Sequence, residues 1–72
     1  MNRYYLLQYN EYEEHSWPYF GHSSNDPQSL IKMVNDEWEV FELFDREKMD
    51  IVWRWMKYPG KDKDHVVLNE LN

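Results

Sequence analysis

Three stretches of this chain are rich in the aromatic and bulky apolar residues that are typical of β-strands, in which successive side chains point to opposite faces. The first such stretch runs from Met1 to Tyr12 and is rich in Tyr and Leu, which suit a pleated, half-buried surface. Leu6 and Leu7 fall on opposite faces of this strand, so both faces begin apolar. We therefore expect it to take a central position in a sheet.

The next segment, His15 to Asn25, has the punctuation of a loop, with Pro18, Gly21 and a Ser-Ser-Asn run. It also carries an unusual apolar load, which indicates a loop that folds back over the core. These apolar residues are Trp17, Tyr19 and Phe20.

Asp26 and Pro27 predict the start of a helix. The Asp26 side chain can accept hydrogen bonds from the first turn, and proline suits the first helical position. Apolar residues then recur at helical spacing, so we expect a short helix of about ten residues that ends near Asp36. They are Leu30, Met33 and Val34.

Two further strands are predicted at Trp38 to Phe44 and Ile51 to Tyr58. The charged turn between them, Asp45 to Asp50, is too short for a crossover, so these strands should be antiparallel. His65 to Leu71 predicts a fourth strand at an edge or a loose helix. The resulting order, β-α-β-β with an optional last β, predicts a single α+β domain over residues 1–72. Its architecture is a two-layer sandwich with one short helix on a mainly antiparallel sheet.

One short helix covers only part of one sheet face, yet the predicted strands carry bulky groups on both. Residues Trp38 to Pro59 hold three of the four Trp. We therefore expect an exposed aromatic patch, which the loop at Trp17 to Phe20, a second copy of the chain or a different protein could cover.

Composition narrows the class of protein. With 42% hydrophobic and 18% aromatic residues, the 72-residue chain is too apolar to be disordered. It contains no Cys, which favours a reducing compartment and hence a cytoplasmic location. Its apolar runs are short and no basic-then-apolar leader is present, so we expect neither a signal peptide nor a membrane span.

The net charge of −6, from fourteen acidic and eight basic residues, disfavours direct nucleic-acid binding and favours a protein partner with a basic surface. The acids form two clusters. Glu11 with Glu13, and Glu37 with Glu39, are two residues apart, about 6.6 Å on a strand. Such rows can imitate a phosphate backbone, although they are also the ordinary solvated positions of amphipathic strands. The clusters are Glu11, Glu13 and Glu14, and Asp36, Glu37, Glu39, Glu42, Asp45, Glu47 and Asp50.

No pattern in the chain predicts catalysis, a metal or a cofactor. The spacings of His15, His22 and His65 match no zinc pattern, and no Cys could complete one. Catalytic carboxylate pairs need a cleft, for which so small a sandwich has little room.

Trp53, Arg54 and Trp55 combine the residue types that are enriched in binding hot spots, and Arg54 could stack on an indole. The alternative is that the indoles are core and Arg54 is exposed. We expect a non-enzymatic interaction protein, of the kind that phages and mobile elements often encode to inhibit host proteins by occluding a basic surface. The alternatives are an immunity protein or antitoxin, or a homodimeric structural or accessory subunit. The expected partner-binding residues are Glu11, Glu13, Glu37, Glu39, Glu42, Trp53, Arg54 and Trp55.

Overall fold

The computed structural model describes residues 1–10, 19–35, 37–57 and 65–71. Within them, five strands form one antiparallel sheet in the order β2-β1-β3-β4-β5, with one short helix. The predicted α+β class is therefore confirmed. The elements are β1 Tyr4–Tyr9, β2 Tyr19–Ser24, α1 Pro27–Ile31, β3 Val40–Asp45, β4 Asp50–Met56 and β5 His65–Asn69.

Three predicted features of the sheet are confirmed. Strand β1 lies between β2 and β3, as its two apolar faces predicted. Strands β3 and β4 form an antiparallel pair across the charged turn. The last segment is a strand rather than a helix, since β5 pairs with β4 and takes one outer position of the described sheet.

Strand β2 corrects the predicted loop. Residues Tyr19–Ser24 pair with β1, and the register shifts between Leu6 and Leu7, where Gly21 is the additional residue. Gly and Ser are weak strand formers, but a neighbouring strand that supplies backbone partners outweighs propensity. The other part of the predicted loop, including Trp17, lies outside the described residues.

The predicted start of the helix is confirmed, but its predicted length is wrong, since the helix has 5 residues. The Asp26 carboxylate accepts the Gln28 N–H at 3.1 Å, and Pro27 occupies the first turn. Helix α1 ends at Ile31, and the chain continues to Val34 in tighter turns whose N–H groups bond the carbonyl three residues earlier. Leu30 is the one fully buried helix residue, so a single turn is enough to supply the helix's contribution to the core.

The helix packs on one face of the sheet, which we call the helix face. Cross-strand partners share a face, so the opposite, second face also follows from the register. The core lies on the helix face, where Leu30 belongs to one cluster with residues of β1, β3 and β4. The helix face carries Tyr4, Leu6, Phe41, Leu43, Trp53 and Trp55; the second face carries Tyr5, Leu7, Tyr9, Val40, Glu42, Phe44, Ile51, Arg54 and Met56.

A bulge in β4 changes the predicted faces. The register between β3 and β4 shifts after Leu43, so Val52 is an additional residue. Ile51 therefore pairs with Phe44 on the second face, whereas Val52 packs in the core with Trp53. Strict alternation along the strand predicts Ile51 on the same face as Trp53, which is wrong because a bulge reverses the alternation beyond it.

Candidate protein-binding surface

Trp53 and Trp55 lie in the core. Each is 5% exposed, and the ring of Trp55 meets Phe41 edge-on at 5.7 Å between ring centroids. Both indoles belong to the cluster that includes Leu30. The prediction that they anchor a partner is therefore wrong for the folded chain, because their surface is already used to fill the helix face.

Arg54 points the other way and binds Glu42. Its Nε and Nη2 donate to Oε2 of Glu42 at 2.8 and 2.6 Å, and the Tyr9 hydroxyl donates to Oε1 at 2.7 Å. Glu42 is only 8% exposed. The predicted stacking of Arg54 on an indole is wrong, and Glu42 is not available to a basic partner, because the two charges satisfy each other on the second face.

The second face is not an open apolar surface at its centre. Leu7 and Val40 are both buried there beside Glu42. Among the described side chains, the large apolar groups that are exposed include no aromatic ring, so the predicted aromatic patch is not found in this part of the chain. The exposed groups are Met1, Met33, Met49, Val66 and Val67.

At the end of the sheet where β3 turns into β4, carboxylates are held by Arg3. Its Nε and Nη2 donate to the two oxygens of the buried Asp45 at 3.0 and 2.9 Å, and Nε lies 2.6 Å from an oxygen of Glu47. Asp45 also accepts the Glu47 N–H. The hydrogen bond from Arg3, more than any other contact, holds the pKa of Asp45 below its ordinary value.

Sequence reasoning missed Arg3, because only the pairing register of β1 with β3 brings it to Asp45, 42 residues later. This pairing changes the interpretation of the second acidic cluster. Three of its carboxylates are engaged by arginine, so the cluster does not form one continuous acidic row. They are Glu42, Asp45 and Glu47.

The opposite end of the sheet carries Asn10, Glu37 and Glu39, a group that we call the acidic end. The Asn10 side-chain oxygen accepts the Glu39 N–H at 3.1 Å, and the Glu39 carbonyl accepts the Lys57 N–H at 2.7 Å. Glu37 is exposed, and its N–H is bound by Asn35. Glu39 is half-buried. Neither acid lies in β3, so the predicted strand pair of carboxylates is not formed.

Glu11 and Glu13, the other predicted acids, lie outside the described residues. Their cluster nevertheless follows directly on Asn10 in the chain. Asn10 follows the last residue of β1, and Glu39, which it bonds, precedes the first residue of β3.

In the described part of the chain, no group of His, Asp and Glu is arranged to hold a metal ion, and no helix is long and apolar enough to cross a membrane. Comparison with known protein families, with curated proteins and with solved structures found no match to this chain.

Proposed function

We propose that this protein is a non-enzymatic, cytoplasmic interaction protein that binds a basic surface of another protein through its acidic end and blocks that surface. The observation that carries the proposal is the hydrogen bond from the Glu39 N–H to Asn10. It fixes Glu39 beside the end of β1, next to the exposed Glu37, in a chain whose net charge is −6.

The two ends of the sheet differ in what their carboxylates do. Asp45 and Glu47 are engaged by Arg3, which neutralises part of their charge and fixes their position. At the acidic end, Glu37 is exposed to solvent. A partner's Lys or Arg can therefore reach the Glu37 carboxylate from solvent, whereas Asp45 is buried beside Arg3.

The mechanism is occlusion. Carboxylates at an interface steer a basic partner into contact and select against acidic ones, while adding less to affinity than to the rate of association. Trp53 and Trp55 are core and supply no binding surface. If the covered surface binds nucleic acid, the carboxylates compete with phosphate there, although the three arginine-bound acids break the continuous row that close mimicry would use.

The experiment is affinity capture from cell lysate with three baits, followed by identification of the bound proteins. The baits are the wild type, the double variant Glu37→Lys and Glu39→Lys, and the control Glu70→Lys. Glu70 is an exposed acid outside the acidic end.

A basic protein that binds the wild type and Glu70→Lys, but not the double variant, supports the proposal. Its binding should also weaken at least tenfold between about 50 and 300 mM salt, because exposed charges are screened over a Debye length of about 10 Å at 0.1 M. A partner that binds all three baits equally, or that is acidic, contradicts the proposal.

A further inference from the structure

Residues 65–71, which include β5 and which we call the strap, differ from the inner strands in burial. Strands β1, β3 and β4 each bury apolar side chains in the core, for example Leu6, Leu43 and Val52. Between residues 66 and 71 no side chain is buried, and each is either exposed or half-buried. Burial of apolar surface is the main favourable term in folding, and the strap supplies little of it.

The other outer strand of the described sheet, β2, is attached to neighbouring segments through its side chains. The Ser23 hydroxyl accepts a hydrogen bond from the Asn2 side chain, and the Ser24 hydroxyl accepts one from the Asp26 N–H. In the described part of the chain, the strap's side-chain hydrogen bond joins two positions within the strap itself. The two outer strands therefore differ in what holds them to the fold.

Backbone pairing and one apolar contact hold the strap closed. Strand β5 pairs with β4, and the Glu70 N–H donates to the Val52 carbonyl at 2.7 Å. Leu71 is half-buried and packs against the core cluster. Leu68, the other half-buried side chain, lies opposite Arg54 on the second face, away from that cluster. Leu71 is thus the apolar anchor of the strap on the helix face.

We propose that the strap opens as a unit while β1 to β4 stay folded, and that Leu71 is the latch that holds it closed. Opening breaks the pairing of β5 with β4 and the Leu71 contact, but leaves the other members of the core cluster packed together. Segments with few buried apolar contacts open locally at a lower free energy than the whole domain. The inference is independent of the acidic end, because it involves neither Glu37 nor Glu39.

Opening of the strap uncovers one side of β4. In the closed state Val66 lies opposite Trp55 and Asn69 lies opposite Trp53, and both indoles are 5% exposed. Each indole loses a cross-strand neighbour when the strap leaves. The backbone groups of β4 that bond β5 then face solvent, as on any outer strand. The strap is therefore a conformational device that keeps two indoles and a sheet edge covered.

The first test is amide hydrogen exchange of the wild type, followed by NMR in increasing, sub-denaturing urea. The Glu70 amide and the β5 amides that bond β4 should share one protection factor, at least about tenfold below that of the slowest amides of β1 and β3. Urea should accelerate the strap amides less steeply, because opening the strap exposes less surface than global unfolding. A gradient of protection along the strap, or a strap that matches β1 and β3 in protection and urea dependence, overturns the proposal.

Three variants test the latch. Leu71→Ala should raise the exchange rate of the strap amides at least about fivefold, because it removes an apolar contact that exists only in the closed state. The control Val67→Thr, at an exposed position of the strap, keeps the β-branched shape and should leave those rates within about twofold. Leu6→Val should accelerate the amides of β1 and β3 roughly fivefold but leave the strap amides within about twofold, since Leu6 stays packed when the strap opens.

Equal acceleration of strap and inner amides by Leu6→Val would show that the strap opens only when the whole domain unfolds, and would overturn the proposal. A Leu71→Ala variant without effect, or a Val67→Thr variant with an equal effect, overturns the role of Leu71 as the latch. None of these measurements involves a partner, so their failure is distinguishable from failure of binding at the acidic end.

Discussion

The two faces of this sheet stabilise the fold by different means. On the helix face, Leu6 and Leu43 are fully buried and Phe41 packs against Trp55, so the centre is hydrocarbon and aromatic. On the second face the centre holds an ion pair, Glu42 with Arg54. The helix face also has an ion pair, that of Arg3 and Asp45, but it lies at the end of the strands.

This difference shows where each face tolerates change. Burial of apolar surface is non-directional, so the stability that the helix face contributes depends on how completely its side chains fill the available volume. A buried ion pair contributes little net free energy compared with apolar replacements, yet loss of one partner is costly because the other charge is left without compensation. The stability that the second face contributes therefore depends on Glu42 and Arg54 being present together.

The largest effect is expected on the helix face. Phe41→Ala should lower the free energy of unfolding by about 3–5 kcal/mol, because it removes a fully buried ring and leaves a cavity. Urea denaturation measures this change. The exposed Met33→Ala is the control and should change stability by less than about 0.5 kcal/mol. A loss below about 1 kcal/mol for Phe41→Ala would show that the helix face is loosely packed.

On the second face, Arg54→Met should cost about 2 kcal/mol, less than for a fully buried pair because the Arg54 side chain is 37% exposed. The double variant Glu42→Leu with Arg54→Met should recover most of that loss, since no uncompensated charge remains. The same urea titrations give the coupling free energy of the pair. Additive losses in the double variant would mean that the two charges act independently.

At the end of the helix face, the effect of Asp45 should depend on pH. Its carboxyl has a lowered pKa in the folded state because Arg3 donates to it, whereas in the unfolded chain the pKa returns to its ordinary value. The unfolded chain therefore binds the proton first, and stability that is present above about pH 5 is lost as the pH falls through the folded-state pKa.

Thermal unfolding from pH 7 to pH 2.5 checks this prediction. Asp45→Asn should show a shallower decline than the wild type, whereas the control Asp50→Asn, at an exposed position of the same hairpin, should retain the wild-type decline. Parallel curves for wild type and Asp45→Asn would place the acid sensitivity elsewhere in the molecule.

Signals from neighbouring residues in the sequence predicted the elements that are determined by contacts between residues close in the chain. Asp26 and Pro27 marked the helix start, and the charged turn between two apolar strands marked the β3–β4 hairpin, because both depend on residues close in the chain. Strand β2 was missed, since Gly21 and the serines favour a loop until β1 supplies backbone partners. The buried Trp53 and Trp55 were predicted as interface residues, because the bulk of a side chain does not indicate which sheet face the helix covers.

The sequence alone determined an acidic, Cys-free, aromatic-rich α+β chain with antiparallel strands, because composition and short-range periodicity carry that information. Only the tertiary structure decided which acids are available to a partner. Arg3 reaches Asp45 and Glu47, and Arg54 reaches Glu42, through strand register. One shifted residue in a strand moves a side chain to the other face, and the bulges at Gly21, Val52 and Val67 are shifts of this kind.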